Sequence, residues 1–250
     1  MEYTYQFFSG GYEAGIKDCA ADVVLERFYQ KHGFGDVIIG WNTQDKCYQR
    51  IIDAAHKAGK KAWLWMPVFS ELPSYAKADP MIDYQNKAQQ GLGVLPGEDF
   101  RFVCPSSQNN IDIIFNLYQK HFADLPFDGV FLDKIRHSSY ANGLSGGMGC
   151  FCENCTKIYQ EKDINTQEVI HKINNFPAKL LPLSQINGKY IFKDPLVDNF
   201  YRVKADIITD SILKLVIRFE NSGLSVALDL FAPVLAYLVG QDIPELSKNV

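Results

Sequence analysis

The sequence predicts an α/β fold of the (β/α)8 TIM-barrel type, carried by about five strand–helix units. Three observations lead there. Short apolar runs alternate with helical periodicity from the N-terminus onward, and most connections are brief. No glycine-rich phosphate turn follows the first strand, which argues against a doubly wound dinucleotide-binding sheet. About five units fall short of a full barrel, so the expectation is one domain over residues 1–250, incomplete towards its C-terminal end.

Residues 3–8 form an aromatic strand closed by Ser9-Gly10-Gly11. Residues 14–32 carry Ile16, Cys19, Val23 and Leu25 or Phe28 at helical spacing, and Gly33-Phe34-Gly35 ends that helix. The run 36–41, DVIIGW, is a buried strand; Asn42-Thr43 then caps a helix over 44–58 with Cys47, Ile51, Ile52 and Ala55 inward. Gly59 stops it, and 61–69, KAWLWMPVF, is the third strand. Residues 70–99 are polar and broken by proline and glycine, a length that marks a functional or mobile loop. A short extended piece, 101–104, leads through Pro105-Ser106 into a helix over 109–123, and 129–133 is the fourth strand. A helix over 153–162 follows, then a stretch to Pro195 with no clear periodicity. The span 196–221 is a long amphipathic helix with Val197, Phe200, Val203, Ile207, Ile208, Leu215 and Phe219 as its apolar stripe. Residues 225–230, SVALDL, are the fifth strand, and a short helix over 244–248 closes the chain.

Composition narrows the function. Apolar content of 47% and charged content of 22% are ordinary for a globular domain. A net charge of -4 and the lack of any basic run interleaved with aromatics argue against nucleic-acid or anionic-membrane partners. No apolar run reaches bilayer length, and the N-terminus lacks a basic, apolar leader, so the cytoplasm is the expected address. An uncovered edge beside the fifth strand of an incomplete barrel would favour self-association.

Asp133 and Asp229 stand where the fourth and fifth strands end. Alternation puts Asp133 on the face of Phe131, opposite Val130 and Leu132. Paired carboxylates at a barrel mouth suit glycoside hydrolysis, one as proton donor and one as nucleophile or base. The plainer reading is that they cap helices or pair with Arg136 or Lys134. Arg136 is a candidate to hold a substrate hydroxyl, and His137 a weaker one, since lone loop histidines usually lie on the surface. Trp41, Trp65 and Tyr12 fall near strand ends, where aromatic faces stack on sugar rings, while Trp63 reads as core. Glu71, just past the third strand, is a reserve carboxylate.

Cys150, Cys152 and Cys155 place three thiols on one loop and helix start. A closed zinc site needs four ligands, and Cys104 is the best-placed fourth. The alternative is three free thiols or a disulfide pair. Cys19 and Cys47, on apolar helix faces, read as small buried hydrophobes.

Residues 101–107 (RFVCPSS), the strand ending at Asp133, and Cys150-Phe151-Cys152-Glu153-Asn154-Cys155 resemble the zinc-carrying β-galactosidases among glycoside hydrolases, over about residues 100–162. In that family a Cys-Pro-x-Ser segment supplies one zinc ligand and a Cys-x-Cys-x-x-Cys loop the other three. The resemblance implies a structural zinc on Cys104, Cys150, Cys152 and Cys155. That family ends its fourth strand with Asp-Asn-Glu, the glutamate being the acid/base; here Asp133-Lys134-Ile135 lacks it. The run FDGVFLDKIR is similar to the Asp-Gly-(hydrophobic)-x-x-Asp-x-x-Arg signature of uncharacterised amylase-like and family-ten-like barrel proteins, which implies a catalytic role for Asp133. The function expected is glycoside hydrolysis of a glycan of unspecified sugar. The alternative is a non-catalytic carbohydrate-binding or scaffold barrel with a structural zinc.

Overall fold

Five short runs of β-branched, aromatic and small residues pair side by side in chain order, all parallel. The computed structural model describes residues 3–8, 21–40, 43, 47–72, 74–91, 100–175, 184–186, 189–248 and 250. Among these the strands are β1 (Tyr3–Phe8), β2 (Gly35–Gly40), β3 (Ala62–Pro67), β4 (Gly129–Asp133), β5 (Ser184–Ile186), β6 (Lys189–Ile191) and β7 (Ser225–Leu228). The helices are α1 (Ala21–His32), α2 (Tyr48–Lys57), α3 (Gln108–His121), α4 (Gly143–Gly147), α5 (Glu153–Glu161), α6 (Thr166–Asn175), α7 (Pro195–Asn221), α8 (Pro233–Ala236) and α9 (Ile243–Leu246). The sheet order is β1-β2-β3-β4-β7, while β5 and β6 make a separate antiparallel hairpin. Parallel neighbours need crossover connections, and those here carry helices. The chain divides into two compact units.

The first unit comprises Met1–Pro67, Ile114–Asp133 and Val216–Asp229 and holds the whole five-stranded sheet. One sheet face is dry: Val37, Ile39, Ala62, Leu64, Met66, Val130 and Leu132 are all buried. Each of these side chains larger than alanine contributes roughly 1.5–3 kcal/mol through the area it removes from water. Helix α2 buries Tyr48, Ile51, Ile52 and Ala55 at i, i+3, i+4 and i+7, and Tyr48 meets Phe122 edge-on at 5.5 Å. On the other face Trp63 pairs in register with Gly129, and its ring stands 2.3 Å from where a Cβ would be, so only glycine fits at 129. β7 is an edge strand whose Val226, Ala227 and Leu228 stay half-buried.

The second unit comprises Val68–Ile113, Lys134–Leu215 and Leu230–Val250. Its core forms on residues 195–215 of α7, where Phe192 stacks on Tyr201 at 4.4 Å and Phe200 meets Tyr159 at 5.2 Å. The apolar stripe expected for this helix is too narrow. Tyr201, Lys204, Ala205, Ser211 and Ile212 are buried as well, because segments pack on more than one of its faces.

Several expectations need correction. Helix α2 begins at Tyr48 with Cys47 as its N-cap, so Asn42-Thr43 does not cap it. Cys47 is disulfide-bonded, which overturns its reading as a small buried hydrophobe; Cys19 lies outside the described residues. The stretch without clear periodicity contains α6 and the β5–β6 hairpin. The loop after β3 is stitched by isolated bridges between Ser70 and Phe102, Pro80 and Val103, and Ile82 and Ala88.

Candidate functional site

β4 delivers Asp133 to the C-terminal end of the sheet, and alternation works as the sequence predicts. Val130 and Leu132 face the dry side, and Asp133 faces the side of Trp65. The carboxylate is only 4% exposed, and its Oδ2 accepts the indole N–H of Trp65 at 2.9 Å. Trp65 sits on the adjacent strand β3, whose Pro67 pairs with Asp133. Burial shields this hydrogen bond from competition by water. Trp65 therefore orients the carboxylate. Asp229 directly follows β7, its N–H donating to Leu132 O at 2.9 Å, and its side chain is exposed.

In the second unit, Arg136 is held between the rings of Phe102 (4.7 Å) and Phe231 (4.4 Å), and donates to His137 O at 3.0 Å. These two cation–π contacts and the hydrogen bond hold the guanidinium in place. Glu71 and Lys134 both have left-handed backbones, with φ of 55° each, and their side chains form an ion pair at 3.6 Å. Non-glycine residues in that region cost about 1–3 kcal/mol, a strain that clusters at working sites. The loop after β3 borders a cavity of about 220 Å³ with Tyr75, Gln89, Arg101 and Phe102 in its wall, and Arg101 stacks on Tyr75 at 4.9 Å.

His137 departs from the surface position expected of it. It is fully buried, with Nε2 3.3 Å from Lys204 O. Burial first, then the nearby Lys204 charge, hold its imidazole well below the usual range, so it is neutral. A side chain with no exposed surface does not contact substrate here, and His137 is structural. Trp41 and Tyr12 lie outside the described residues.

The thiols do converge. Cys104, Cys150, Cys152 and Cys155 bring all four sulfurs within 4.8 Å of one another, and all four are free cysteines. Cys104 Sγ lies 3.3 Å from Cys152 Sγ and 3.7 Å from Cys155 Sγ. A tetrahedron with Zn–S bonds of about 2.3 Å has sulfur–sulfur edges of about 3.8 Å. The donor set therefore fits a tetrahedral metal ion. Cys152 is the extended N-cap of α5 and makes no side-chain cap bond, which leaves its thiol for the cluster. Hydrogen bonds from Cys104, then from Cys150 and Cys155, hold Cys152 far below the usual thiol range, while burial pushes Cys150 up. Ser106 Oγ, missed by sequence reasoning although it lies in the Cys-Pro-Ser segment, is 3.2 Å from both Cys104 and Cys155 sulfurs. Asn110 Nδ2 donates to Cys104 O at 2.8 Å and to Asp79 O at 2.9 Å, and Cys104 N–H donates to Asp79 O, bracing the ligand turn.

The fold is similar to that of glycoside hydrolase domains. One solved structure it resembles is the PgaB (BpsB) glycoside hydrolase domain from Bordetella bronchiseptica, with a TM-score of 0.64 and 16% identity, covering 100% of this chain and 72% of that one. Another is alpha-L-fucosidase isoenzyme 2 from Paenibacillus thiaminolyticus, with a TM-score of 0.51 and 17% identity, covering 92% of this chain but 32% of that one. At these identities the likeness is one of fold. No family model matches the sequence, and no curated protein matches it.

Proposed function

We propose that this chain is a carbohydrate-active hydrolase domain that cleaves a glycan through Asp133 and Asp229. The observation that carries this reading is a buried strand-end carboxylate held by an indole N–H, in a fold shared with glycoside hydrolase domains. Asp133, fixed by Trp65, suits the nucleophile or the anion that stabilises an oxocarbenium-like transition state. Asp229, directly after the neighbouring strand β7, is assigned to the proton donor. Arg136, held by contacts to two aromatic rings, is assigned to a substrate hydroxyl. Glu71 is retained as a reserve carboxylate, and Trp41 and Tyr12 as sugar-stacking candidates. The five parallel strands are read as part of a (β/α)8 barrel in a single domain.

Cys104, Cys150, Cys152 and Cys155 are assigned to one zinc ion. A tetrathiolate site is closed, so the metal would fasten the loop and take no part in hydrolysis. Metal analysis of the purified chain is expected to find one zinc, lost in Cys152→Ala together with stability. The catalytic reading is tested with a panel of aryl glycosides and oligosaccharides. Asp133→Asn is expected to lower turnover by several orders of magnitude while zinc content stays unchanged. Full activity in that variant removes Asp133 from the mechanism. Sugar binding by the wild type without any turnover identifies a non-catalytic carbohydrate-binding domain instead.

No described helix is long and apolar enough to cross a membrane. The Cys47 disulfide favours an oxidising compartment over the cytoplasm.

A further inference from the structure

Lys204 has no exposed surface, and it lies on the helix face that holds both halves of the thiol cluster. Phe200, Lys204 and Ser211 fall at i, i+4 and i+11 of α7, which is one face of a 3.6-residue helix. Phe200 stacks on Phe151, between Cys150 and Cys152, with ring centroids 5.9 Å apart. Lys204 Nζ donates to Gly147 O and to Leu238 O, both at 2.8 Å. Its Cε stands 3.2 Å from where a Cβ on Gly149 would be; Gly149 has φ +113° and immediately precedes Cys150. Ser211 Oγ donates to Pro105 O at 2.6 Å, beside Cys104. One helix face thus touches both segments that carry thiols.

The charge on that face is only partly matched, by the Tyr201 ring 5.3 Å from Lys204 Nζ. A buried ammonium calls for an anion, yet among the described residues Lys204 has two carbonyls and no carboxylate. Burial pulls its pKa down to about 7. His137, beside it, is neutral, and its Nδ1 has no hydrogen-bond partner. Four thiolates around a divalent cation, by contrast, carry two net negative charges in a site with little water to screen them.

We propose that Lys204 is the counter-charge of the metal–thiolate centre: its ammonium, fixed by Gly147 and Leu238, offsets part of the dianion and seats the loop that delivers Cys150. The proposal rests on the zinc assignment above and concerns metal affinity, not sugar chemistry. Its test compares wild type, Lys204→Met and Lys204→Gln as full chains, with zinc affinity measured by competition against a chromogenic chelator. Glutamine keeps N–H donors for the two carbonyls and removes the charge. Both variants are expected to bind zinc about 10–100-fold more weakly. Zinc-loaded Lys204→Met should melt below the zinc-loaded wild type. The zinc-stripped variant should melt no lower than the zinc-stripped wild type, because the uncompensated buried charge is gone. Unchanged affinity in both variants, or the same drop in melting with and without zinc, overturns the proposal. If the methionine variant does not fold, the glutamine variant decides. A wild type that takes up no zinc is a different failure, that of the zinc assignment itself.

Discussion

Trp65 and Asp133 come together across neighbouring strands, and their roles differ from those their positions suggest in isolation. Trp65 looks like a sugar-stacking ring in the sequence, whereas in the fold its indole N–H is spent on the carboxylate. Trp65→Phe keeps the aromatic bulk and removes the donor. The expected result is a stability loss of about 1–3 kcal/mol, the cost of taking the donor from a buried acceptor, read by chemical denaturation. A fall in turnover with little change in KM should accompany it, because a loosened carboxylate hurts the transition state more than ground-state binding. Unchanged stability and turnover would show the bond to be incidental. His137 carries the converse lesson. Its type and loop position suggest the surface, but the His137 N–H bonds to Val239 O and its ring lies against Lys204, so it is walled in by segments remote in sequence.

Among the elements, α7 joins segments that are distant in sequence. Its Phe200 meets Phe151 and Tyr159, and its Ser211 reaches the carbonyl next to Cys104. Phe200→Ala is expected to cost about 3–5 kcal/mol as a buried aromatic deletion. If the four thiols hold zinc as proposed, the cavity opened under Phe151 should also speed its release to a chelator relative to wild type. Slow release with the full stability loss would separate the helix from the metal loop. The ends of α3, α5 and α7 lie close to where residue spacing puts them, since a helical stripe and its stop signals are local. The β5–β6 hairpin and α6 were not legible, because strands of three residues carry too little alternation to register and a ten-residue helix buries only Val169 and Ile173.

At the scale of the whole molecule, β1 and β7 are the two edges of the five-stranded sheet among the described residues. Val226, Ala227 and Leu228 leave β7 half-buried, and an edge of that kind pairs readily with another chain. Association that grows with concentration in sedimentation and weakens in Ala227→Lys is the expected outcome. A monomer at every concentration would show the edge to be protected. The disulfide at Cys47 makes a separate prediction. Alkylation of the unfolded chain without reductant should leave Cys47 unmodified, and adding reductant should expose it. Labelling of Cys47 without reductant would return the cytoplasm to favour.

The sequence by itself determined the strand–helix rhythm, the placement of Asp133 at the end of β4 on the face opposite Val130 and Leu132, and the identity of the four clustered cysteines. The first two, and the Cys150-Cys152-Cys155 spacing, depend on periodicity along a short stretch of chain that local backbone geometry reads directly; Cys104 was reached through the four-ligand requirement of a closed site and the Cys-Pro-x-Ser resemblance. Only the tertiary structure decided that Trp65 holds Asp133, that His137 is buried and neutral, and that Lys204 lies under the loop of Cys150. Each of those pairings joins residues about 55 to 70 positions apart, within reach of a hydrogen bond or van der Waals contact. A polar side chain shows its type in the sequence, but the partner that repays its burial is chosen by the packing of distant segments, and no local pattern records that choice.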